Sequence, residues 1–222
     1  MISFAELRRL VEMGEGPYIE FKKKADHPEK IVRELVAFAN SNGGKLLLGV
    51  DDHGAIPGLR FADEEAYVME SAINLYSKPP VPFELKRVKI PGGVEVLIYQ
   101  ISGQNEKPFY WLANKEKQQF RIYVRSRDQS IQASKEMVRL LRTKDDSTLD
   151  EIFQLHPLER KMLAYFAENE VLTIKDLSRI GKIPPWKASL KLVAWVKKGI
   201  LRIEPAEGQD HYFLQEKYQS FT

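Results

Sequence analysis

The chain has 222 residues, of which 43% are hydrophobic and 29% charged, with a formal net charge of +3 and a pI near 8.9. This composition is typical of a globular protein, and the length allows one large domain or two ordinary ones. The lack of cysteine excludes disulfides and thiolate metal sites. No apolar run is long enough to span a membrane. These features favour a cytoplasmic protein, and the mild basic excess permits a nucleic-acid partner without requiring one.

The first half of the chain predicts a mixed α+β domain. Ser3 and Glu6 form a capping box that opens a helix at about 4–13. A strongly periodic helix follows at about 29–39. The other predicted elements are a strand at 18–22, a strand buried on both faces at 46–50, a helix at 63–76, a hairpin at 83–101, a strand at 119–125 and a closing helix at 134–141. We therefore predict one domain over residues 1–142.

A polar segment separates this domain from the rest, so residues 143–156 are predicted to be a linker. Residues 157–222 then predict three helices and a short hairpin. The helices are expected at about 158–167, 173–180 and 185–198, and the hairpin strands at 200–203 and 211–214. This order is that of a winged helix-turn-helix domain.

Several separate blocks in the first half resemble the Schlafen AlbA_2 family, and they occur in the family's order. The blocks are Glu15–Lys22 (EGPYIEFK), Ala37–Gly44 (AFANSNGG), Leu48–Asp52 (LGVDD), Ile56–Leu59 (IPGL), Lys107–Tyr110 (KPFY) and Tyr123–Arg127 (YVRSR). The resemblance covers about residues 4–141. It implies an AlbA_2-like mixed α/β fold and a nucleic-acid-binding function. Proteins of this family with a single copy of the domain are commonly treated as DNA-binding regulators.

The resemblance also implies a candidate catalytic site. Eukaryotic Schlafen nucleases carry two glutamates five residues apart and an aspartate after the Gly-Val strand, and these positions fall on Glu15, Glu20 and Asp52. Such a trio can hold Mg²⁺ or Mn²⁺, which would polarise a phosphodiester and activate water. A metal-dependent RNA endonuclease is therefore the alternative function. The structural alternative is that Glu20 pairs with a nearby lysine and that Asp52 belongs to an ordinary turn.

Basic side chains in the first half are candidate nucleic-acid contacts. The run Lys22, Lys23 and Lys24 suits either phosphate contact or a solvated surface. Arg125 and Arg127 alternate in a predicted strand, so both are expected on one face of the sheet. That arrangement would suit phosphate contacts.

The third predicted helix of the second half is the candidate DNA-reading helix. Its apolar residues recur at helical spacing and should face the core; they are Ala188, Leu192, Trp195 and Val196. The candidate nucleic-acid contacts left outside are Lys182 in the preceding turn and Lys187, Ser189 and Lys191 on the helix. The helix has no acidic residue, which favours contact with phosphates.

Two features of this half favour other interpretations. Trp186 is predicted to be exposed, as in a winged helix that contacts a protein partner. The predicted wing is acidic, with Glu204, Glu207 and Asp210, and would repel DNA unless it points away from the duplex.

No stretch of the sequence fits a phosphate-binding loop, because Gly43-Gly44-Lys45 is followed by leucine rather than serine or threonine. This argues against ATP hydrolysis. The main prediction is a DNA-binding transcriptional regulator that acts as a homodimer, with no membrane partner. RNA is the other possible nucleic acid, and Mg²⁺ or Mn²⁺ would be needed only by the nuclease. A module that contacts no nucleic acid is the third class considered.

Overall fold

In the computed structural model, the chain is described at residues 2–103, 107–142 and 157–221. It divides into two compact units, Met1–Gln132 and Ala133–Thr222, which we call the first and second units. The division precedes the helix predicted to close the first domain, so this helix belongs to the second unit. The predicted linker at 143–156 lies outside the described residues. Within the described ranges, no helix has the length and apolar character needed to cross a membrane.

The first unit contains three helices and nine strands among its described residues, so the predicted mixed α+β class is confirmed. In chain order they are α1 (Phe4–Glu12), β1 (Ile19–Lys22), α2 (Pro28–Asn40), β2 (Gly43–Leu48), α3 (Ala62–Tyr76), β3 (Ser77–Lys78), β4 (Glu84–Ile90), β5 (Val94–Ser102), β6 (Tyr110–Asn114), β7 (Gln119–Arg121), β8 (Tyr123–Ser126) and β9 (Gln129–Gln132).

The main sheet has four strands in the order β1-β2-β5-β4, and β1 and β2 are parallel while the other pairs are antiparallel. Leu46 and Leu48 pack into a core with α2 and α3. Leu47 packs into a second core with Leu7 of α1. Successive residues of a strand point to opposite faces. Strand β2 is therefore buried on both faces, as its continuous apolar run predicts.

The predicted strand at 119–125 is wrong in extent. The chain breaks at Ile122, so that β7 pairs with β6 in one small sheet and β8 pairs with β9 in another. Arg127 lies beyond β8 in the turn to β9, with a positive φ of 55°. Arg125 and Arg127 therefore do not share one face of a strand, and this part of the prediction is wrong.

The second unit contains the three predicted helices and the predicted hairpin. Its elements are α4 (Lys135–Arg142), α5 (Pro157–Phe166), α6 (Ile174–Gly181), α7 (Pro185–Lys197), β10 (Leu201–Glu204), β11 (His211–Leu214) and a 3-10 helix (Glu216–Phe221). Strands β10 and β11 are antiparallel, and a bridge between Leu172 and Tyr212 ties the segment before α6 to the hairpin. The core of this unit includes Leu192 and Trp195, as predicted.

Candidate nucleic-acid interface

Arg125 is the centre of a buried ionic cluster in the first unit. Its Nη1 lies 3.2 Å from Oε2 of Glu20 and 3.1 Å from Oε2 of Glu34. The same nitrogen donates to Oγ of Ser130 at 3.1 Å, and Nη2 donates to the carbonyl oxygen of Gly16 at 2.7 Å. The side chain is only 2% exposed. Arg125 is therefore committed to the interior of the unit and presents no free charge to a phosphate.

The cluster follows from the alternation of side chains in β1. Ile19 and Phe21 point into the core beneath α1, so Glu20 and Lys22 point to the other face, toward α2. Nζ of Lys22 lies 2.5 Å from Oε1 of Glu20 and 2.7 Å from the carbonyl oxygen of Phe21. Burial raises the pKa of Glu20, and the hydrogen bond from Lys22 acts in the opposite direction. The pairing of Glu20 with a nearby lysine is thus present.

The acidic trio is not assembled into one site. Glu15 is exposed, and its Oε1 accepts the backbone N–H of Phe21 at 2.8 Å. Glu20 is buried in the Arg125 cluster, whereas Asp52 is exposed in the turn after β2. Among the residues that the structure describes, no three His, Asp or Glu side chains are grouped as metal ligands. The geometry of this chain alone therefore gives the metal site no support.

A metal titration tests this arrangement. We expect Mg²⁺ and Mn²⁺ to leave the melting temperature unchanged, because a ligand stabilises a protein only when it binds the folded state. Differential scanning fluorimetry with and without a chelator makes the measurement. A stabilisation by Mn²⁺ that Asp52→Asn abolishes, together with cleavage of structured RNA that needs Mn²⁺, would contradict this expectation and support the nuclease.

The block AFANSNGG holds the first unit together through Asn40. The side chain is buried, and its Nδ2 donates to the carbonyl oxygens of Phe109 at 2.8 Å and Tyr123 at 3.0 Å. Its Oδ1 accepts the backbone N–H of Phe109 at 2.8 Å. Next to it, Oγ of Ser41 accepts the backbone N–H of Arg125 at 2.9 Å. The block therefore joins the end of α2 to the two later blocks of the resemblance.

The two glycines of the same block are required by close packing. Gly43 has a φ of +80°, and a Cβ there would lie 2.5 Å from the carbonyl oxygen of Ile101. A Cβ on Gly44 would lie 2.3 Å from the ring of Phe38. That ring lies beneath the guanidinium of Arg125, with its centre 4.7 Å from Cζ. The glycines thus allow β2 to pack closely against Phe38 and, through its ring, against the ionic cluster.

Three residues of this cluster and of the neighbouring amide network were not predicted from the sequence: Glu34, Asn40 and Ser130. Asn40 lies inside a block that carries the resemblance, and a buried amide at the end of a helix is a recognisable signal. Glu34 on α2 is 91 residues from Arg125, so only the fold brings it there. Ser130 is the cross-strand neighbour of Arg125 in the hairpin formed by β8 and β9. Of the predicted basic contacts in the first unit, Lys23, Lys24 and Arg127 are exposed.

Ser189 does not lie where the sequence predicts. It is only 5% exposed, and Oγ donates to Oε1 of Glu136 at 2.5 Å and accepts from Nη1 of Arg139 at 2.8 Å. Both partners belong to α4. The outward orientation was wrong because α4 packs on this face of α7, and no periodicity within α7 itself could show that. Ser189 is therefore inaccessible to a base edge.

The two lysines predicted on α7 are exposed. Lys187 and Lys191 are four residues apart, so they lie on the same face one turn from each other. Nζ of Lys187 lies 5.4 Å from the centre of the ring of Trp186, which is itself 61% exposed. Lys182 is also exposed and ends α6 with a left-handed backbone, at φ 50°.

The hairpin between β10 and β11 is less acidic at its surface than its sequence indicates. Asp210 is buried, it accepts a hydrogen bond from Oγ of Ser134, and burial raises its pKa. Glu204 pairs with Arg202 on the same strand. Glu207 is exposed. The three carboxylates of the wing should therefore repel phosphate less than the sequence alone indicates.

The profile of the Schlafen, AlbA_2 family matches residues 15–134, which is more than half of the chain. The chain therefore belongs to this family, and the predicted family is confirmed. No curated protein matches. One similar solved structure is the N-terminal domain of an ATP-dependent DNA helicase RecG-related protein from Nitrosomonas europaea. It is 26% identical, with a TM-score of 0.43 over 51% of this chain and 83% of that one. Another is the DIP2311 protein from Corynebacterium diphtheriae, 20% identical, with a TM-score of 0.42 over 69% of this chain and 30% of that one.

Proposed function

We propose that this protein binds DNA as a transcriptional regulator, and that its second unit is a winged helix-turn-helix domain. The observation that carries the proposal is the pair of exposed lysines, Lys187 and Lys191, on a helix without acidic residues. In helix-turn-helix proteins the first turns of the second helix enter the major groove. Membership of the Schlafen AlbA_2 family adds support for a nucleic-acid partner.

The geometry of the turn before α7 supports the same proposal. Three residues, Lys182, Ile183 and Pro184, separate the end of α6 from the start of α7, the length that such motifs use. Oγ of Ser178 donates to the carbonyl oxygen of Ile183 at 2.7 Å, and the N–H of Ile183 donates back to the carbonyl oxygen of Ser178 at 3.1 Å. These reciprocal bonds fix the approach of the two helices.

Lys23, Lys24 and Arg127 of the first unit are proposed as additional, sequence-independent contacts with the phosphate backbone, because they are exposed and basic. We also propose a homodimer, since two copies would read the two half-sites of a symmetric operator. The endoribonuclease has no comparable observation in its favour, and the metal titration tests it separately.

Replacing the two lysines of α7 tests the proposal. We expect Lys187→Ala with Lys191→Ala to weaken DNA binding, because each lysine neutralises a phosphate and releases a counterion. The slope of log K against log salt should flatten by about 1.8 for two lost contacts. Fluorescence anisotropy on a duplex from the region upstream of the protein's own gene, and on a scrambled duplex, provides the measurement.

The control is Lys115→Ala with Lys117→Ala, which removes the same charge from an exposed turn of the first unit. This variant should bind as the natural chain does. Equal binding by both double variants would overturn the assignment of α7. Tighter binding of single-stranded RNA than of either duplex would replace DNA by RNA as the partner.

A further inference from the structure

The exposed residues of α7 form one continuous face. Successive side chains are about 100° apart around a helix, so the exposed positions after Pro185 fall within an arc of about 140°. Leu192 and Trp195 are buried on the opposite side, and Ser189 is covered by α4. The residues of this exposed face are Trp186, Lys187, Leu190, Lys191 and Lys197, with the half-buried Ala194 between them.

This face has an apolar stripe beside a basic one. Trp186 and Leu190 are 61% and 47% exposed and lie one turn apart. Lys187 and Lys191 run alongside them, and Nζ of Lys187 lies 5.4 Å from the centre of the Trp186 ring. No acidic residue occurs on the helix. A partner that complements both stripes must therefore be negatively charged and offer apolar groups next to its charges. The major groove of duplex DNA does so, with phosphates at its rim and thymine methyl groups on its floor.

The exposed face of α7 has no side chain that accepts a hydrogen bond. Lysine ammonium groups and the indole N–H of Trp186 can only donate, and Leu190 and Ala194 do neither. In the major groove, cytosine presents only its N4 amino donor, and adenine is distinguished by its N6 amino donor. Asn, Gln, Asp and Glu, which accept from these groups, are absent from α7. The face can therefore distinguish only guanine, through its acceptors O6 and N7, and thymine, through its methyl group.

We propose that Trp186 and Leu190 contact thymine methyl groups in the major groove, and that these contacts determine the sequence preference of the protein. The inference rests on the DNA binding proposed above and names the chemical group that is read. Four residues of helix rise by about 6 Å, close to two base steps of about 3.4 Å each. The two side chains therefore reach thymines in nearby base pairs, while the lysines beside them neutralise phosphates.

Replacing thymine by deoxyuridine tests the inference, because it removes the methyl group and leaves the base pairing unchanged. The probe is a duplex that the natural chain selects from a random-sequence library, synthesised once with thymine and once with deoxyuridine at every thymine position. We expect the uracil duplex to bind about fourfold more weakly for each contacted methyl group, and about fifteenfold more weakly for two. Fluorescence anisotropy measures both affinities.

Two double variants assign the effect to α7. Trp186→Ala with Leu190→Ala should bind the thymine and uracil duplexes equally, with the salt dependence of the natural chain, because the lysines remain. A penalty caused by altered DNA shape would persist in this variant. The matched control is Tyr67→Ala with Leu75→Ala, which removes an aromatic ring and a leucine that are 73% and 45% exposed on α3. This control should keep the full penalty for uracil.

The lysines of α7 should give the opposite pattern. Lys187→Ala with Lys191→Ala should flatten the salt dependence and keep the preference for thymine over uracil. Equal binding of the two duplexes by the natural chain, or no selected sequence, would overturn this inference while the lysine result still tests the proposed function. No binding to any duplex would overturn both. A full uracil penalty in Trp186→Ala with Leu190→Ala, together with a lower mass in light scattering, would assign the apolar stripe to a protein contact instead.

Discussion

Arg125→Met is expected to lower the free energy of unfolding of the first unit by roughly 3–5 kcal/mol, the usual cost of breaking a buried ion pair. The substitution keeps the volume and removes the cation that lies between the carboxylates of Glu20 and Glu34. Two buried carboxylates would then face each other without a shared partner. The hydrogen bonds to the carbonyl oxygens of Gly16 and Asp128 would also be lost. The loss therefore combines the removal of the shared cation, which leaves Glu20 with Lys22 and Glu34 with Arg33, and the loss of partners for two backbone carbonyls.

The change in the free energy of unfolding of the first unit can be measured by urea titration. Hydrogen exchange in peptides from β1 and β8 monitors the unfolding of this unit. Arg127→Met is the matched control, because it removes the same charge two residues away at an exposed position. It should change stability little. Adding Glu20→Gln and Glu34→Gln to Arg125→Met should recover part of the loss, since neutral amides remove the repulsion. A stability for Arg125→Met equal to that of Arg127→Met would contradict the ionic cluster.

Asn40→Ala is expected to cost about 3 kcal/mol of stability, because a buried polar group left without a partner costs about 1–3 kcal/mol. The substitution would leave three backbone groups without their hydrogen-bond partner: the N–H and the carbonyl oxygen of Phe109, and the carbonyl oxygen of Tyr123. It would also open a small cavity at the end of α2. The regions around β6 and β8 should therefore exchange their amide hydrogens faster than the main sheet does.

The control for Asn40 is Asn74→Ala on α3. That side chain is exposed and makes a single local bond, from Nδ2 to the carbonyl oxygen of Glu70 at 3.0 Å. Its loss should be close to neutral. Equal effects of the two substitutions would mean that Asn40 contributes no more than an ordinary surface amide, and the block AFANSNGG would lose its structural explanation.

Local patterns predicted most of the helices and the main sheet. The capping box formed by Ser3 and Glu6 is present, and the apolar run at 46–50 forms a strand buried on both faces. Strands β3, β6 and β9 were not predicted, because they are only two to five residues long and so short a segment shows little periodicity. Both β6 and β9 pair with the strand next to them in the chain. Helix α3 begins at Ala62, one residue before the predicted start, and no side chain caps it.

The sequence by itself determined the family, the α+β class and the position of the lysines on α7. These depend on short-range order: glycines at a tight turn, apolar periodicity and the absence of acid on one helix. Only the tertiary structure decided which of the predicted site residues are exposed and which are buried. Arg125, Glu20 and Ser189 are polar, and a linear pattern places polar residues at the surface. They are buried because Glu34, Ser130 and α4 supply partners that satisfy them there, and Glu34 and α4 come from distant parts of the chain.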